Sequence, residues 1–122
     1  MNTPNDLAKK EKLTVISWLI EHFPNAFFKK GNQVKPLKIG IYDDIIEFYD
    51  RLQTPPFSKS ALKDALSYYS ASPFYLRCQQ ADAARVDIYG NEVDSVTPEQ
   101  AKYALQRYQH RYGNKAPTNQ KA

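Results

Sequence analysis

The sequence predicts a mostly helical α+β domain: a compact bundle of about five to six helices with one small β-hairpin at about 84–95. Three observations carry this. Several segments repeat apolar residues at helical spacing. Two of them open on a hydroxyl cap with a proline in the first turn, Thr3-Pro4 and Thr97-Pro98. Only one stretch, 85–95, alternates polar and apolar around a Gly-Asn turn.

The chain of 122 residues fits a single core. Residues 1–112 are expected to form one domain and 113–122 a disordered polar tail. Helix one is expected over 3–23, with Thr3 as N-cap and Leu13, Ile16, Ile20 and Phe23 as its core stripe, widened by Val15, Trp18 and Leu19. His22 is read as structural or solvated. Phe27 and Phe28 are expected to pack inward after a turn, and residues 29–33 to form an exposed loop. Helix 41–53 sets Ile41, Ile45, Phe48 and Leu52 against the acids Asp43, Glu47 and Asp50. That acidic face is expected to be the back of the molecule.

Residues 58–72 form the stretch around which the chain is organised. Ser58 can cap a helix whose Leu62, Ala65, Leu66 and Tyr69 face inward. Lys59, Lys63, Ser67 and Ser70 fall on another face. Two lysines and the hydroxyls of Ser58 and Ser60 at a helix N-terminus suit a phosphate; a solvated surface helix is the plainer alternative. Pro73 either ends this helix or opens a short one through 74–78. In the hairpin, Val86, Ile88 and Val93 are expected on the core side and Arg85, Asp87 and Tyr89 on the other, with Asp87 opposite Asp94. A last helix, 97–112, is expected to end at Gly113, packing Tyr103, Ala104 and Tyr108 and projecting Lys102, Arg107 and Arg111.

Charge narrows the function. The formal net charge is +4 and it is polarised: residues 29–42 hold four lysines and no acid, and residues 102–122 hold five Lys or Arg and no acid. Such a chain suits a polyanionic partner. One cysteine, Cys78, excludes an intrachain disulfide, and two scattered histidines give no metal-ligand spacing. Four unclustered glycines make no phosphate-binding loop. No cofactor, no metal and no catalysis are expected, and neither a membrane span nor a signal-peptide core is visible. A cytoplasmic monomer fits these readings.

Residues 13–91 resemble the ProQ/FinO family of bacterial RNA-binding proteins. The resemblance rests on Phe23-Pro24, on Lys35-Pro36-Leu37-Lys38-Ile39-Gly40-Ile41, on Ser58-Lys59 with Leu62, on Tyr75-Leu76, and on Arg85-Val86-Asp87 with Gly90-Asn91. It implies a single-domain RNA chaperone that binds small RNAs and mRNA 3′ ends, at the base of a terminator-like hairpin and its single-stranded tail, for post-transcriptional regulation. By the resemblance, Lys38, Lys63, Tyr75 and Arg85 line the RNA face, and Ser58 with Lys59 makes a phosphate-binding helix start. Lys30, Lys35, Gly40 and Arg77 are possible further contacts. Ser67 and Phe74 depart from the pattern, since cations are expected at both. For Tyr75 and Arg85 a purely structural role stays open: a core ring with a buried hydroxyl partner, and an ion pair with Asp82 or Asp87. Two other functions also stand, a DNA-binding helical domain and a protein-interaction module with a tyrosine-rich surface. The lysines and serines of helix 58–72 are poor readers of base edges in a duplex.

Overall fold

The computed structural model describes the backbone of residues 4–113 and the side chains from residue 8 to 113. The Thr3 cap and the polar tail after Gly113 lie outside the described residues. The order is α1 (Pro4–His22), a 3-10 turn (Gly31–Gln33), α2 (Ile41–Tyr49), α3 (Lys59–Ser70), α4 (Pro73–Cys78), β1 (Ala84–Val86), β2 (Glu92–Ser95) and α5 (Pro98–Tyr112). The architecture is thus the expected one, five helices and one hairpin.

The pair α1 and α3 forms the centre. From α1 and the residue that follows it, Val15, Leu19 and Phe23 are buried, an i, i+4, i+8 row, and from α3 Ala61, Leu62, Ala65 and Tyr69. The α1 stripe differs from the expected one. Leu13 is 46% exposed, and Ile16 and Ile20 are half-buried, because α3 covers the neighbouring face. Trp18, Phe23, Phe48 and Phe57 form an edge-to-face aromatic cluster where α1, α2 and the 50–58 link meet. His22 stacks on Trp18 at 4.3 Å, and its Nδ1 donates to the Trp18 carbonyl, so it is structural as expected.

Helix α2 ends at Tyr49, earlier than expected. The Tyr49 hydroxyl donates to the Phe57 carbonyl and ties the proline-rich link back onto the core. Pro73 opens α4 behind its own cap, Ser72, whose hydroxyl accepts from the Tyr75 amide at 3.2 Å. Helix α5 starts on the reciprocal box read from the sequence: the Thr97 hydroxyl accepts from the Gln100 amide, and the Gln100 side-chain oxygen accepts from the Thr97 amide. On α5, Ala104 is buried and Tyr108 half-buried as expected, but Tyr103 is 63% exposed and Arg107 half-buried, the reverse of the expected placing for those two.

The hairpin register also corrects the expectation. Arg85, not Asp87, faces Asp94, and Val86 faces Glu92. Val93 is the extra residue of this bulge and is 46% exposed rather than core. Asp87 leaves the strand and organises the turn, its Oδ1 accepting from the Tyr89 and Asn91 amides at 2.9 Å each. Burial pushes the Asp87 carboxyl up, but these amides outweigh it and hold its pKa below the usual value. Among the described residues, no helix is long and apolar enough to cross a membrane.

Candidate nucleic-acid interface

Two backbone features build the site. The first is the start of α3. The Ser58 hydroxyl accepts from the Ala61 amide at 3.0 Å. The amides of Lys59 and Ser60 belong to the first turn, which has no acceptors within the helix. The dipole of a 12-residue helix adds partial positive charge there. Ser58, Lys59, Ser60 and Lys63 are all exposed, and no acid lies in the first turn. Among the described residues no ion pair engages Lys63.

The second feature is the segment leading into α2. Leu37 bridges Val86 in parallel, with the Lys38 amide donating to the Val86 carbonyl at 2.8 Å and the Val86 amide to the Pro36 carbonyl at 3.0 Å. The Tyr75 hydroxyl accepts from the Leu37 amide at 3.0 Å. Arg85 Nη1 donates to the Leu37 carbonyl at 3.0 Å and Nη2 to Gln100 Oε1 at 3.1 Å. Its Nε lies 3.6 Å from Asp94 Oδ1, without a hydrogen-bond partner. Gly40 then enters α2 as an N-cap at φ 85°, a conformation that favours glycine.

The structure therefore gathers the expected residues into two groups of different character. Ser58, Lys59, Ser60 and Lys63 offer donors to solvent. Tyr75 and Arg85 are buried, and their polar groups point at protein. Burial also pushes the Tyr75 phenol pKa up. Lys38 sits between the groups. Its Nζ donates to Asp44 at 2.7 Å, and that bond holds its pKa above the usual value. Lys59 pairs in the same way with Asp50, at 3.0 Å. The acids of α2 are thus not confined to the back of the molecule: Asp44 and Asp50 reach the cations of the candidate face. With Asp43 and Asp44 in its first turn, the start of α2 is also the poorer of the two helix ends for phosphate.

Of the further contacts, Lys30 is exposed, Lys35 lies over the Phe28 ring at 5.5 Å, and Arg77 lies over the Phe74 ring at 5.1 Å. One group was missed in the sequence. Tyr103, Arg107 and Glu99 of α5 line a hollow of about 330 Å³ with Ser70, Tyr75 and Arg85. The i, i+4 spacing of Tyr103 and Arg107 was the available signal, but nothing local tells that α5 turns this edge towards α4. Among the described residues, no cluster of His, Cys, Asp and Glu could hold a metal ion.

The ProQ/FINO family model matches residues 9–121. The chain belongs to the ProQ/FINO family. It is 39% identical over 105 residues to the RNA chaperone ProQ of Idiomarina loihiensis, a match covering 85% of this chain and 48% of that one. It is 39% identical over 98 residues to the RNA chaperone ProQ of Aeromonas salmonicida, covering 80% and 45%. The chain spans about half the length of these curated relatives. The solution structure of a ProQ homolog from Legionella pneumophila is 73% identical, with TM-score 0.77, covering 99% of this chain and 96% of that one. The crystal structure of a FinO-like RNA chaperone from Neisseria meningitidis shares the fold, at TM-score 0.62 and 20% identity over 86% of this chain. The mostly helical ProQ/FINO architecture with its one hairpin is therefore the architecture of this chain.

Proposed function

We propose that this ProQ/FINO domain is a non-enzymatic, cytoplasmic RNA-binding protein with RNA chaperone activity. It holds the base of a terminator-like hairpin on the start of α3. The single-stranded 3′ tail runs towards the segment that Tyr75 and Arg85 brace. Small RNAs and mRNA 3′ ends are the intended ligands, and post-transcriptional regulation is the role. The observation that carries this reading is the exposed helix start with two capping-end hydroxyls, two lysines and no acid in its first turn. Backbone amides and hydroxyls place phosphates, and lysines attract them. The deep, narrow major groove of an RNA stem hides its bases, so shape and backbone are what such a surface reads. The curated relatives named RNA chaperones point the same way.

The test is a titration of labelled hairpin RNA, with and without a 3′ tail, beside duplex DNA of matched sequence, across a salt series. The expected result is tightest binding to the tailed hairpin, with a log–log salt slope of roughly one per phosphate contact. Duplex DNA binding as well as RNA would overturn the RNA assignment, and a flat salt response would point instead to a protein-binding module.

A further inference from the structure

We infer that the apolar groove between α1, the 3-10 turn and the end of α3 docks an acidic amphipathic helix of a protein partner. Leu13, Ile16 and Ile20 take its apolar side chains, and Lys12 and Lys29 take its carboxylates. This surface is separate from the RNA-binding function proposed above.

α1 carries two apolar rows. Val15 and Leu19 belong to the core, whereas Leu13, Ile16 and Ile20 line a hollow of about 450 Å³. Phe28, Val34 and Phe74 line it with them. The last turn of α3 adds Tyr68 and Tyr69, so the groove meets this helix away from its Ser58 start. Leu13, Tyr68 and Phe74 are all exposed, and contiguous apolar surface left in water marks a place of interaction. A second hollow, of about 400 Å³, shares Gly31, Val34 and Phe74 and continues to Arg77 and Cys78. A Cβ on Gly31 would strike the Phe74 ring, so glycine lets that ring lie on the turn. The groove is therefore longer than either hollow and suits an elongated ligand.

Cations surround this lining. The Lys12 Nζ lies 5.5 Å from the Tyr68 ring centroid, the Lys35 Nζ 5.5 Å from that of Phe28, and the Arg77 guanidinium 5.1 Å from that of Phe74. Lys29 lines the groove itself. Among the described residues no ion pair engages Lys12, Lys29 or Lys35. Glu11, Glu21 and Asp64, the described acids of α1 and α3, lie outside the lining.

These features select the occupant. An apolar groove with a cationic rim complements a helix that has apolar anchors at i, i+3 and i+7 and acids beside them. The volume suits the anchors of one helix face, with the helix itself lying on the rim. Nucleic acid fits less well. Bases need open ring faces, but Phe28, Tyr68 and Phe74 each carry a cation. The aliphatic side chains would also strip water from a phosphate without replacing its hydrogen bonds. The chain's own residues 114–122 hold two lysines and no acid, the wrong charge for this rim.

The test titrates the isotope-labelled full chain with a synthetic helical peptide carrying leucines at i, i+3 and i+7 and glutamates between them. Two control peptides replace the glutamates by lysine or the leucines by serine. The glutamate peptide should shift the amide resonances of Leu13, Ile16, Ile20 and Val34 and lose affinity as salt rises. Neither control should shift them. Leu13→Gln should weaken the glutamate peptide at least about fivefold, as for an anchor residue. Lys12→Gln and Lys29→Gln should each weaken it roughly two- to fivefold. All three variants should bind hairpin RNA as the wild type does, while Lys63→Ala should leave peptide binding unchanged. The Leu13 side chain is partly in water, so its replacement leaves the core filled, and circular dichroism checks the fold. No shift of these resonances at millimolar glutamate peptide, or equal shifts with the lysine peptide, would overturn the acidic partner. If Leu13→Gln weakens hairpin RNA rather than peptide, the groove is a nucleic-acid surface. If the chain sediments as a dimer that Leu13→Gln dissociates, a second copy fills the groove. The RNA function stands or falls on the hairpin titration, whichever way the peptide result goes.

Discussion

Tyr75 and Arg85 hold the two backbone polar groups of one residue: the Tyr75 hydroxyl takes the Leu37 amide and Arg85 Nη1 takes the Leu37 carbonyl. Leu37 is itself 3% exposed, so neither group could turn to water. The two side chains come from α4 and β1 and fix the segment that presents Lys38 and leads into α2. In the proposed RNA site their part is to brace that backbone. Tyr75→Phe removes the acceptor and leaves a buried donor unpaired, which costs about 1–3 kcal/mol. Urea unfolding should show that loss. RNA affinity measured where the variant is folded should fall less than for Tyr75→Ala, which also removes the ring. A Tyr75→Phe domain as stable as the wild type would show that the Leu37 bond contributes nothing.

What the sequence made legible was local. The Ser58 cap, the Thr97–Gln100 box and the Pro73 helix start each depend on residues within three or four positions, and each formed as read. What stayed hidden came from contacts between distant segments. α1 carries two apolar rows, and only the position of α3 decides that Val15, Leu19 and Phe23 are the buried one. The hairpin register depends on the Leu37–Val86 bridge and on Asp87 closing the turn, neither of which alternation reveals. The pairs Lys38–Asp44 and Lys59–Asp50 likewise arise where α2 meets its neighbours. Reading Asp50 as a solvated back face treated a helix as though it stood alone.

Alkaline pH should unfold the domain through groups that burial keeps neutral. Burial pushes the Tyr69 phenol from 10.0 up to about 12, against the opposing hydrogen bond from the Phe28 amide. It pushes the Cys78 thiol from 9.0 up to about 12. Both folded values are raised, so their stabilising contribution is complete below the unfolded values and is lost as pH rises towards 12. Urea midpoints should therefore fall between about pH 9 and 12. Tyrosinate absorbance should rise in two phases, the later one from the buried Tyr69 phenol as the domain unfolds. The Cys78 thiol should resist labelling at pH 8 until denaturant is added. A single absorbance phase with constant midpoints would contradict the burial argument.

Gly90 and Gly40 make a matched pair, because both have φ near +85° and only one is crowded. A Cβ on Gly40 meets nothing within 4 Å, so Gly40→Ala carries the left-handed backbone cost alone, about 1–2 kcal/mol. A Cβ on Gly90 would lie 2.5 Å from the Asn25 Cβ and 3.0 Å from its carbonyl oxygen. That carbonyl belongs to the turn after α1 and has little room to retreat. Gly90→Ala should therefore lower the melting temperature more than Gly40→Ala does. Equal shifts would mean that the hairpin tip is not seated on Asn25.

The last prediction separates the two lysines of α3. Lys59 and Lys63 lie one turn apart on one exposed face, yet Asp50 holds the first and no ion pair among the described residues holds the second. The Lys59–Asp50 pair is half-exposed on both sides, and solvent-screened pairs of this kind contribute little to stability. Asp50 also sits at the C-terminal end of α2, where the helix dipole disfavours a negative charge. Asp50→Asn should therefore leave the fold intact while removing the carboxylate that competes with phosphate for Lys59. RNA affinity should rise, and the log–log salt slope should steepen, by up to about one. Lys63→Ala should do the opposite, weakening different hairpins to a similar extent and lowering the slope by about one. Fluorescence anisotropy across a salt series measures both, and circular dichroism checks the fold. If Asp50→Asn weakens binding, the ion pair orients Lys59 for the RNA rather than withholding it. If neither variant changes the slope, the start of α3 is not where the phosphates sit.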